Sequence, residues 1–184
     1  MRIILVPKIG FCFGVKRAVD MCLKALKEKP RPCQVLGPLV HNEIVIEKLK
    51  KQGVKFIDSL EEASEGTIII PAHGEEPKVF RKIQKMGYKV IDATCPLVTR
   101  VQILVKDLQK KGNQIIILGE KNHKEVQSIQ AAIEGKGIII EDKEEVKNFR
   151  PKRNISVVAQ TTQNLERIKE ILKELSRESD PTEV

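Results

Sequence analysis

The pattern that decides the fold is the stretch 89–118, KVIDATCPLVTRVQILVKDLQKKGNQIIIL. It opens with a short aliphatic run, Lys89–Ile91, and closes with a second, Gln114–Leu118. Between them, Leu97–Leu108 carries apolar residues at the spacing of a helix with one buried face. Lys110–Asn113 then supplies a glycine where that helix would end. The stretch therefore predicts a strand, a helix and a parallel strand, which is the repeating unit of an α/β fold.

The same alternation continues through the rest of the chain. Further aliphatic runs are Ile3–Val6, Gln34–Leu36, Lys55–Ile57, Thr67–Ile70, Gly137–Ile140 and Ile155–Val158. They are almost wholly apolar, as in strands that helices cover on both faces. Val15–Leu26 and Leu165–Leu175 show helical spacing of their apolar residues. Met86–Tyr88 again places a glycine before a strand, and the polar residues 177–184 predict a loop.

Eight predicted strands can form one large sheet or two small ones, and we expect two similar units. The first would be residues 1–95 and the second residues 96–184, each a small parallel sheet covered by helices. Every earlier helix is followed by a strand, whereas the chain ends after the helix at 165–175. The pattern therefore predicts a missing piece.

The composition is that of a globular chain, with 184 residues of which 41% are hydrophobic and 32% charged. Lysine and arginine number 33 against 25 acidic residues, a net charge of +8 that suits an anionic ligand. A solvated surface rich in lysine and glutamate explains the same excess. Aromatic residues make up only 3%, which argues against a single-stranded nucleic-acid binder, because bases stack on aromatic side chains.

No apolar run approaches the roughly 20 residues that a membrane span needs. The apolar start, Met1–Val6, is stopped by Pro7 and Lys8, so we do not interpret it as a signal peptide. We expect a cytoplasmic protein. In that compartment the four cysteines are expected to be catalytic residues, metal ligands or core thiols rather than disulfides.

The residues with chemical potential follow the predicted strands. A single histidine in such a place can be an ordinary buried or surface residue, but all three histidines of the chain share it. In open parallel sheets, ligands bind outside the carboxyl ends of the strands. Imidazoles that can become cations suit a diphosphate. The residues at such positions are Cys12, His41, His73, Cys95, His123 and Thr161.

Two of the cysteines stand where a ligand could approach. Cys95 precedes Pro96, which suits the first position of a helix, and a thiol at a helix N-terminus ionises more easily. Cys12 lies between Gly10 and Gly14, and glycines allow close approach of a cofactor or anion. Both are therefore candidates for binding a metal or cluster.

The other two cysteines are assigned no chemistry. Cys22 lies on the apolar face of its helix and is predicted to be a core residue, and Cys33 follows Pro32 in a predicted loop. No Cys-x-x-Cys occurs, so zinc-ribbon and ferredoxin-type spacings are absent. Glu125, two residues after His123, can move protons in the same pocket, or can simply favour a helix N-terminus.

Six motifs resemble those of one known family. In chain order they are Gly10–Val19 (GFCFGVKRAV), Leu36–Asn42 (LGPLVHN), Ala72–Gly74 (AHG), Asp92–Pro96 (DATCP), His123–Val126 (HKEV) and Ala159–Gln163 (AQTTQ). Their order and spacing are similar to those of the 4-hydroxy-3-methylbut-2-enyl diphosphate reductase (IspH/LytB) family, from Arg2 to about Leu175. That family removes the hydroxyl of an allylic diphosphate by two-electron reduction, which gives isopentenyl and dimethylallyl diphosphates in the non-mevalonate isoprenoid pathway.

The resemblance also implies a [4Fe-4S] cluster held by three cysteines and a ferredoxin- or flavodoxin-type electron donor. In this chain it implies Cys12 and Cys95 as two cluster ligands, His41, His73 and His123 around the diphosphate, Glu125 as the proton donor and Thr161 as a hydroxyl of the substrate pocket.

The chain departs from the family pattern in several places. The family has a third α/β unit with the third cysteine and a Ser-x-Asn motif, and this chain ends before both, so we expect two lobes of three and no activity alone. Smaller departures are Gln102, where His is frequent, and Gln127-Ser128, where Gly is usual. Glu75 and Glu76 would oppose a diphosphate if they faced it. The alternative is a cluster-free α/β module that binds an anion or nucleic acid.

Overall fold

Helices and strands alternate along the part of the chain that the computed structural model describes, residues 10–28, 32–149 and 154–179. In chain order the elements are α1 (Phe13–Glu28), β1 (Cys33–Leu36), α2 (Glu43–Lys51), β2 (Lys55–Ile57), β3 (Thr67–Ile70), α3 (Pro77–Lys85), β4 (Lys89–Asp92), α4 (Pro96–Lys110), β5 (Gln114–Leu118), α5 (Lys124–Ala132), β6 (Ile138–Ile140), β7 (Ile155–Ala159) and α6 (Leu165–Ser179). Short 3-10 helices lie at Leu60–Glu62 and Lys143–Asn148. Among these helices, none combines the length and apolarity that crossing a bilayer requires.

Seven of the eight predicted strands lie within the described residues, and they form two separate parallel sheets. The first sheet has the order β2-β1-β3-β4 and the second the order β6-β5-β7. In the first, Val35 of β1 lies between Phe56 of β2 and Ile69 of β3. The prediction of two small parallel sheets covered by helices is confirmed. The remaining run, Ile3–Val6, lies outside the described residues.

Alternate residues of the central strands enter cores on opposite faces of each sheet. In β5, Ile115 and Ile117 pack with α4 and α5, whereas Ile116 and Leu118 pack with α6. The first sheet is covered in the same way, by α1 and α2 on one face and α3 on the other. Because burying one such side chain stabilises a fold by about 1.5–3 kcal/mol, nearly all-apolar strands need helices on both faces.

Helix α4 begins and ends where the sequence predicts. Cys95 is its N-cap residue and Pro96 occupies its first turn, where the missing N–H of proline has no cost. Gly112 follows its C-cap with a φ of 84°, and Gly87 follows α3 with a φ of 75°. Both glycines adopt the left-handed conformation that ends a helix before the next strand.

Two details of the sequence prediction are wrong. Cys33 is not in a loop: it is the first residue of β1, pairs with Thr67 and is buried, with its Sγ donating to the carbonyl of Ala25 at 3.4 Å. The loop predicted from residue 177 onward begins later, because α6 continues to Ser179. Salt bridges three residues apart, such as that of Arg177 with Glu174, support its last turns. Residues 180–184 lie outside the described part.

Candidate active site

A cavity of about 310 Å³ lies among the loops that follow β1, β3, β4, β5 and β7, where it also meets the start of α1. All seven residues that the sequence predicts for a site line this cavity. They are Cys12, His41, His73, Cys95, His123, Glu125 and Thr161. Loops from both sheets therefore form one pocket, as expected for residues at the carboxyl ends of parallel strands.

The segments that carry the two thiols meet in a close contact between α1 and the loop before α4. A Cβ atom on Gly14 would lie 2.6 Å from Sγ of Cys95, so only glycine allows the first turn of α1 to come this near. Arg17 of α1 donates from Nη1 to the carbonyl of Thr94 at 3.0 Å. Cys12, just before α1, is exposed, and Cys95 is half-buried. The start of α1 is thus fixed against the Cys95 loop.

His73 is buried with one ring nitrogen free for a ligand. Its Nδ1 is 2.9 Å from the carbonyl of Gly74, which can only accept, so Nδ1 carries the proton. Its Nε2 is buried and has no hydrogen-bond partner among the residues that the structure describes. Burial lowers the pKa of His73 from the ordinary 6.5 to about 4, and the nearby His41 and His123 add to this effect, while the Gly74 bond opposes it. His73, which lines the cavity, therefore has a neutral ring with one nitrogen that lacks a hydrogen bond.

The three imidazoles form a contiguous group. The ring centroid of His41 lies 5.7 Å from that of His73 and 5.1 Å from that of His123. His123 is the N-cap of α5, and its Nδ1 accepts the backbone N–H of Glu125 at 3.1 Å. In the neutral ring, the proton of His123 is therefore on Nε2, which makes that nitrogen a donor.

Glu125 is buried in the first turn of α5, with both carboxylate oxygens paired. Its Oε1 accepts the backbone N–H of Thr161 at 2.7 Å, and its Oε2 accepts the Thr161 hydroxyl at 2.9 Å. Only 2% of the residue is exposed. The pair ties α5 to the loop after β7 and holds a carboxyl group at the cavity wall.

Comparison with known proteins identifies the family of this arrangement. The family model described as "LytB protein" matches residues 3–184. The chain belongs to the LytB family.

Relatives and solved structures agree with this assignment. The chain is 37% identical to the 4-hydroxy-3-methylbut-2-enyl diphosphate reductase of Geobacter metallireducens, over 96% of this chain and 62% of that protein. It is 42% identical to the enzyme of the same name from Aquifex aeolicus, over 95% of this chain and 61% of that protein.

Among solved structures, the E-1-hydroxy-2-methyl-but-2-enyl-4-diphosphate reductase from Plasmodium falciparum is similar with a TM-score of 0.87 and 34% identity, covering 91% of this chain and 54% of the other. A structure titled (E)-4-hydroxy-3-methyl-but-2-enyl diphosphate reductase, the terminal enzyme of the non-mevalonate pathway, gives a TM-score of 0.81 and 42% identity, covering 91% and 61%. The chain therefore spans between about half and three fifths of the length of these four LytB relatives.

The donor set of this LytB chain supplies part of what an iron–sulfur cluster needs. Cys12 and Cys95 offer two thiols in one cavity, whereas clusters are held mainly by three or four cysteines. Cys22 does not line this cavity, because it is fully buried in the core under α1, where burial and the neighbouring Cys33 raise the pKa of its thiol to about 12. Within the described residues, no group of three or more His, Cys, Asp or Glu side chains is arranged to hold a metal ion. These residues therefore fit a cluster at two positions and do not complete its ligand set.

Sequence reasoning missed other residues of the LytB cavity. Asn42 and Thr162 also line it. Both lie in motifs quoted above, next to His41 and Thr161, but were assigned no role. Glu75 lines a separate cavity of about 510 Å³ that it shares with His73, and burial raises the pKa of its carboxyl group. Neither Glu75 nor Glu76 lines the cavity with the thiols, so neither side chain faces an anion inside it.

Proposed function

We propose that this chain forms the substrate cavity of a 4-hydroxy-3-methylbut-2-enyl diphosphate reductase. The observation that carries the proposal is the convergence of two thiols, three imidazoles and a buried carboxyl group on one cavity. The reaction removes an allylic hydroxyl as water and consumes two electrons and two protons. It therefore needs a site for the diphosphate, a proton donor and a source of electrons.

The three imidazoles supply the diphosphate site of this proposal. Nε2 of His73 is buried without a partner, and Nε2 of His123 is a donor in the neutral ring. A diphosphate beside these rings would favour their cationic forms and accept charge-assisted hydrogen bonds from them. His41, which lies within 6 Å of both rings, completes the group. The net charge of +8 favours approach of such an anion.

Glu125 and Thr161 supply the proton path of this proposal. The carboxylate accepts two hydrogen bonds from Thr161, and these fix the directions of its oxygens. When a proton arrives on Glu125, the carboxyl group becomes a donor, either directly to the substrate or through the Thr161 hydroxyl. The leaving hydroxyl of the substrate would take that proton and depart as water.

Cys12 and Cys95 are proposed to hold an iron–sulfur cluster. Such a cluster would supply the two electrons and a Lewis acid for the hydroxyl. The further ligand would come from outside the residues that the structure describes, because these offer only two thiols in the cavity. A ferredoxin- or flavodoxin-type protein is the proposed electron donor.

The cavity lies between two proposed units, residues 1–95 and 96–184. Helix α4 belongs to the second, because its Val105 packs in the core that contains β5. His41, His73 and the two thiols come from the first unit. His123, Glu125 and Thr161 come from the second.

Anaerobic reconstitution with iron and sulfide tests the proposal. The parent for this test is a protein that joins this chain to the portion by which its relatives are longer. We expect bound iron with a visible absorption band in that parent and in its Cys22→Ala variant, a matched control whose thiol lies in the core. Cys12→Ser and Cys95→Ser should each lose the band. Salt-dependent binding of nucleic acid that neither serine variant changes, with no iron retained by the parent, would favour the cluster-free module.

A further inference from the structure

A hydrogen-bonded seam joins the two units beside the cavity. Ser128 of α5 is buried, and its Oγ lies 3.1 Å from the carbonyl of His73 and 2.8 Å from that of Glu125. Gln102 of α4 donates from Nε2 to the same Oγ at 3.1 Å. Neither Ser128 nor Gln102 lines the cavity that contains the thiols.

The hydroxyl of Ser128 both accepts and donates hydrogen bonds. A hydroxyl has one proton and can accept as well as donate, so it accepts from Gln102 and shares its proton between the two carbonyls. The bond to Glu125, three residues earlier in the helix, is the ordinary local bond of a helical serine. The bond to His73 crosses 55 residues and joins the two sheets. Of the three bonds, only the one to His73 links the second unit to the first.

The loop held by Ser128 also fixes the His73 ring. Gly74 has a φ of 81°, and a Cβ there would lie 3.2 Å from both Nε2 of Gln102 and Cγ2 of Thr94, so the backbone sits tightly on the seam. The carbonyl of Gly74 in turn accepts the Nδ1 proton of His73. The segment His73-Gly74 is therefore bonded at two points. Ser128 contacts its backbone at the His73 carbonyl, and its Gly74 carbonyl accepts the proton of the His73 ring.

We propose that Ser128, oriented by Gln102, is a positioning residue that fixes the His73 imidazole of one unit relative to the Glu125 carboxyl group of the other. This inference rests on the proposed function, in which His73 binds the diphosphate and Glu125 donates the proton.

The test compares the parent chain with Ser128→Ala, Gln102→Met and a matched control, Gln109→Met. Gln109 lies on the same helix and also donates to a carbonyl of the second unit, that of Ile133 at 3.1 Å, but it does not touch the His73 loop. Long-range ¹H–¹⁵N NMR of the imidazole reports which ring nitrogen of His73 carries the proton. Calorimetry reports the affinity for inorganic pyrophosphate.

In the parent and in Gln109→Met, we expect His73 to be the Nδ1–H tautomer. Ser128→Ala should give a mixture of tautomers and bind pyrophosphate about fivefold more weakly, the factor typical of one lost hydrogen bond. Gln102→Met should give a smaller change in the same direction. The double variant should be no worse than Ser128→Ala, because Gln102 acts through the serine.

Some outcomes of this experiment would overturn the positioning role, and another would contradict only the proposed function. An unchanged tautomer and affinity in Ser128→Ala, or equal effects in Gln109→Met, would overturn it. If Ser128→Ala does not fold, Ser128→Thr, which keeps the hydroxyl, must retain the parent tautomer while Gln102→Met loses part of it. A parent chain that binds no pyrophosphate would contradict the proposed function, and the tautomer would still decide the positioning role.

Discussion

His73 and Glu125 are both buried at the cavity, but they differ in whether their polar atoms have hydrogen-bond partners. Both oxygens of Glu125 accept hydrogen bonds from Thr161, so the carboxyl group is satisfied without a ligand. In the described part of the chain, Nε2 of His73 has no hydrogen-bond partner. An unsatisfied buried polar group costs about 1–3 kcal/mol, which a hydrogen-bonding ligand would offset. A ligand would therefore stabilise the protein at His73, whereas the carboxyl group of Glu125 is already satisfied by Thr161.

Glu125→Gln is predicted to lose turnover while keeping the substrate. In a protein that joins this chain to the portion by which its relatives are longer, turnover should fall about a hundredfold, the scale of acid–base groups, with substrate affinity within about threefold. The amide cannot supply the carboxyl proton. Steady-state kinetics on Glu125→Gln and on the exposed control Glu120→Gln check this, and unchanged turnover would remove Glu125 from the proton role.

His73 is predicted to make stability depend on pH in a defined window. The unfolded ring binds its proton near pH 6.5, and burial lowers the pKa in the folded state to about 4. Between these values the unfolded state binds more protons, so the free energy of unfolding falls as pH falls, by at most about 1.4 kcal/mol per pH unit. Urea unfolding across this window should show a shallower pH dependence in His73→Gln than in the parent. Parallel curves would contradict the prediction.

At the scale of elements, the starts of α1 and α4 depend on each other. Gly14 in α1 leaves room for the Cys95 side chain at the N-cap of α4, and Arg17 holds the carbonyl beside it. The two cysteine-bearing segments are therefore packed as one unit, although they are more than eighty residues apart in sequence.

Gly14→Ala is predicted to destabilise the fold, which is the reverse of the usual effect. Replacing a helical glycine by alanine ordinarily gains about 0.5–1 kcal/mol. Here the new Cβ would meet Sγ of Cys95 at 2.6 Å, and overpacking of this kind costs about 1–3 kcal/mol. Urea unfolding measures the change, with Lys16→Ala on the exposed side of α1 as the control. A more stable Gly14→Ala chain would show that α1 does not pack closely on Cys95.

The elements were predictable from sequence where burial alone decides them. The runs Thr67–Ile70 and Gln114–Leu118 are buried on both faces, so their apolar composition identifies them. Cys33 was placed in a loop because the neighbouring proline masks the start of β1, which only pairing with Thr67 defines. The end of α6 was placed too early, since its last turn is stabilised by local salt bridges and carries no apolar pattern.

At the scale of the whole molecule, the convergence of these residues on one cavity was predictable because the fold class determines where strand ends meet. The histidines, Cys95 and Thr161 follow parallel strands, and parallel strands bring such residues to one edge. The contact between Gln102 and Ser128 could not be predicted, because it joins two helices whose relative placement no local pattern encodes. The unpaired nitrogen of His73 likewise becomes visible only when its burial is known.

The chain alone is predicted to associate at high concentration. Phe13, Leu97 and Leu165 are 70%, 58% and 62% exposed, and each lies within three residues of a residue that lines the cavity. Large apolar side chains exposed near a site favour association. Sedimentation velocity should show concentration-dependent oligomers that the double variant Phe13→Ser, Leu97→Ser reduces. Leu172→Ser on α6 serves as the control, and a monomer at every concentration would contradict the prediction.

Because loops of both sheets line the cavity, its shape depends on how the two sheets are oriented relative to each other. Neither sheet carries a complete set of the candidate groups, so a small rotation about α4 would separate intact halves without unfolding either one. A shift of about 1 Å in the reacting groups can lower a rate about a hundredfold. Changes in catalytic rate are therefore expected from substitutions along α4 and α5 that touch no substrate, and a search for improved or impaired variants should sample those helices as densely as the cavity wall.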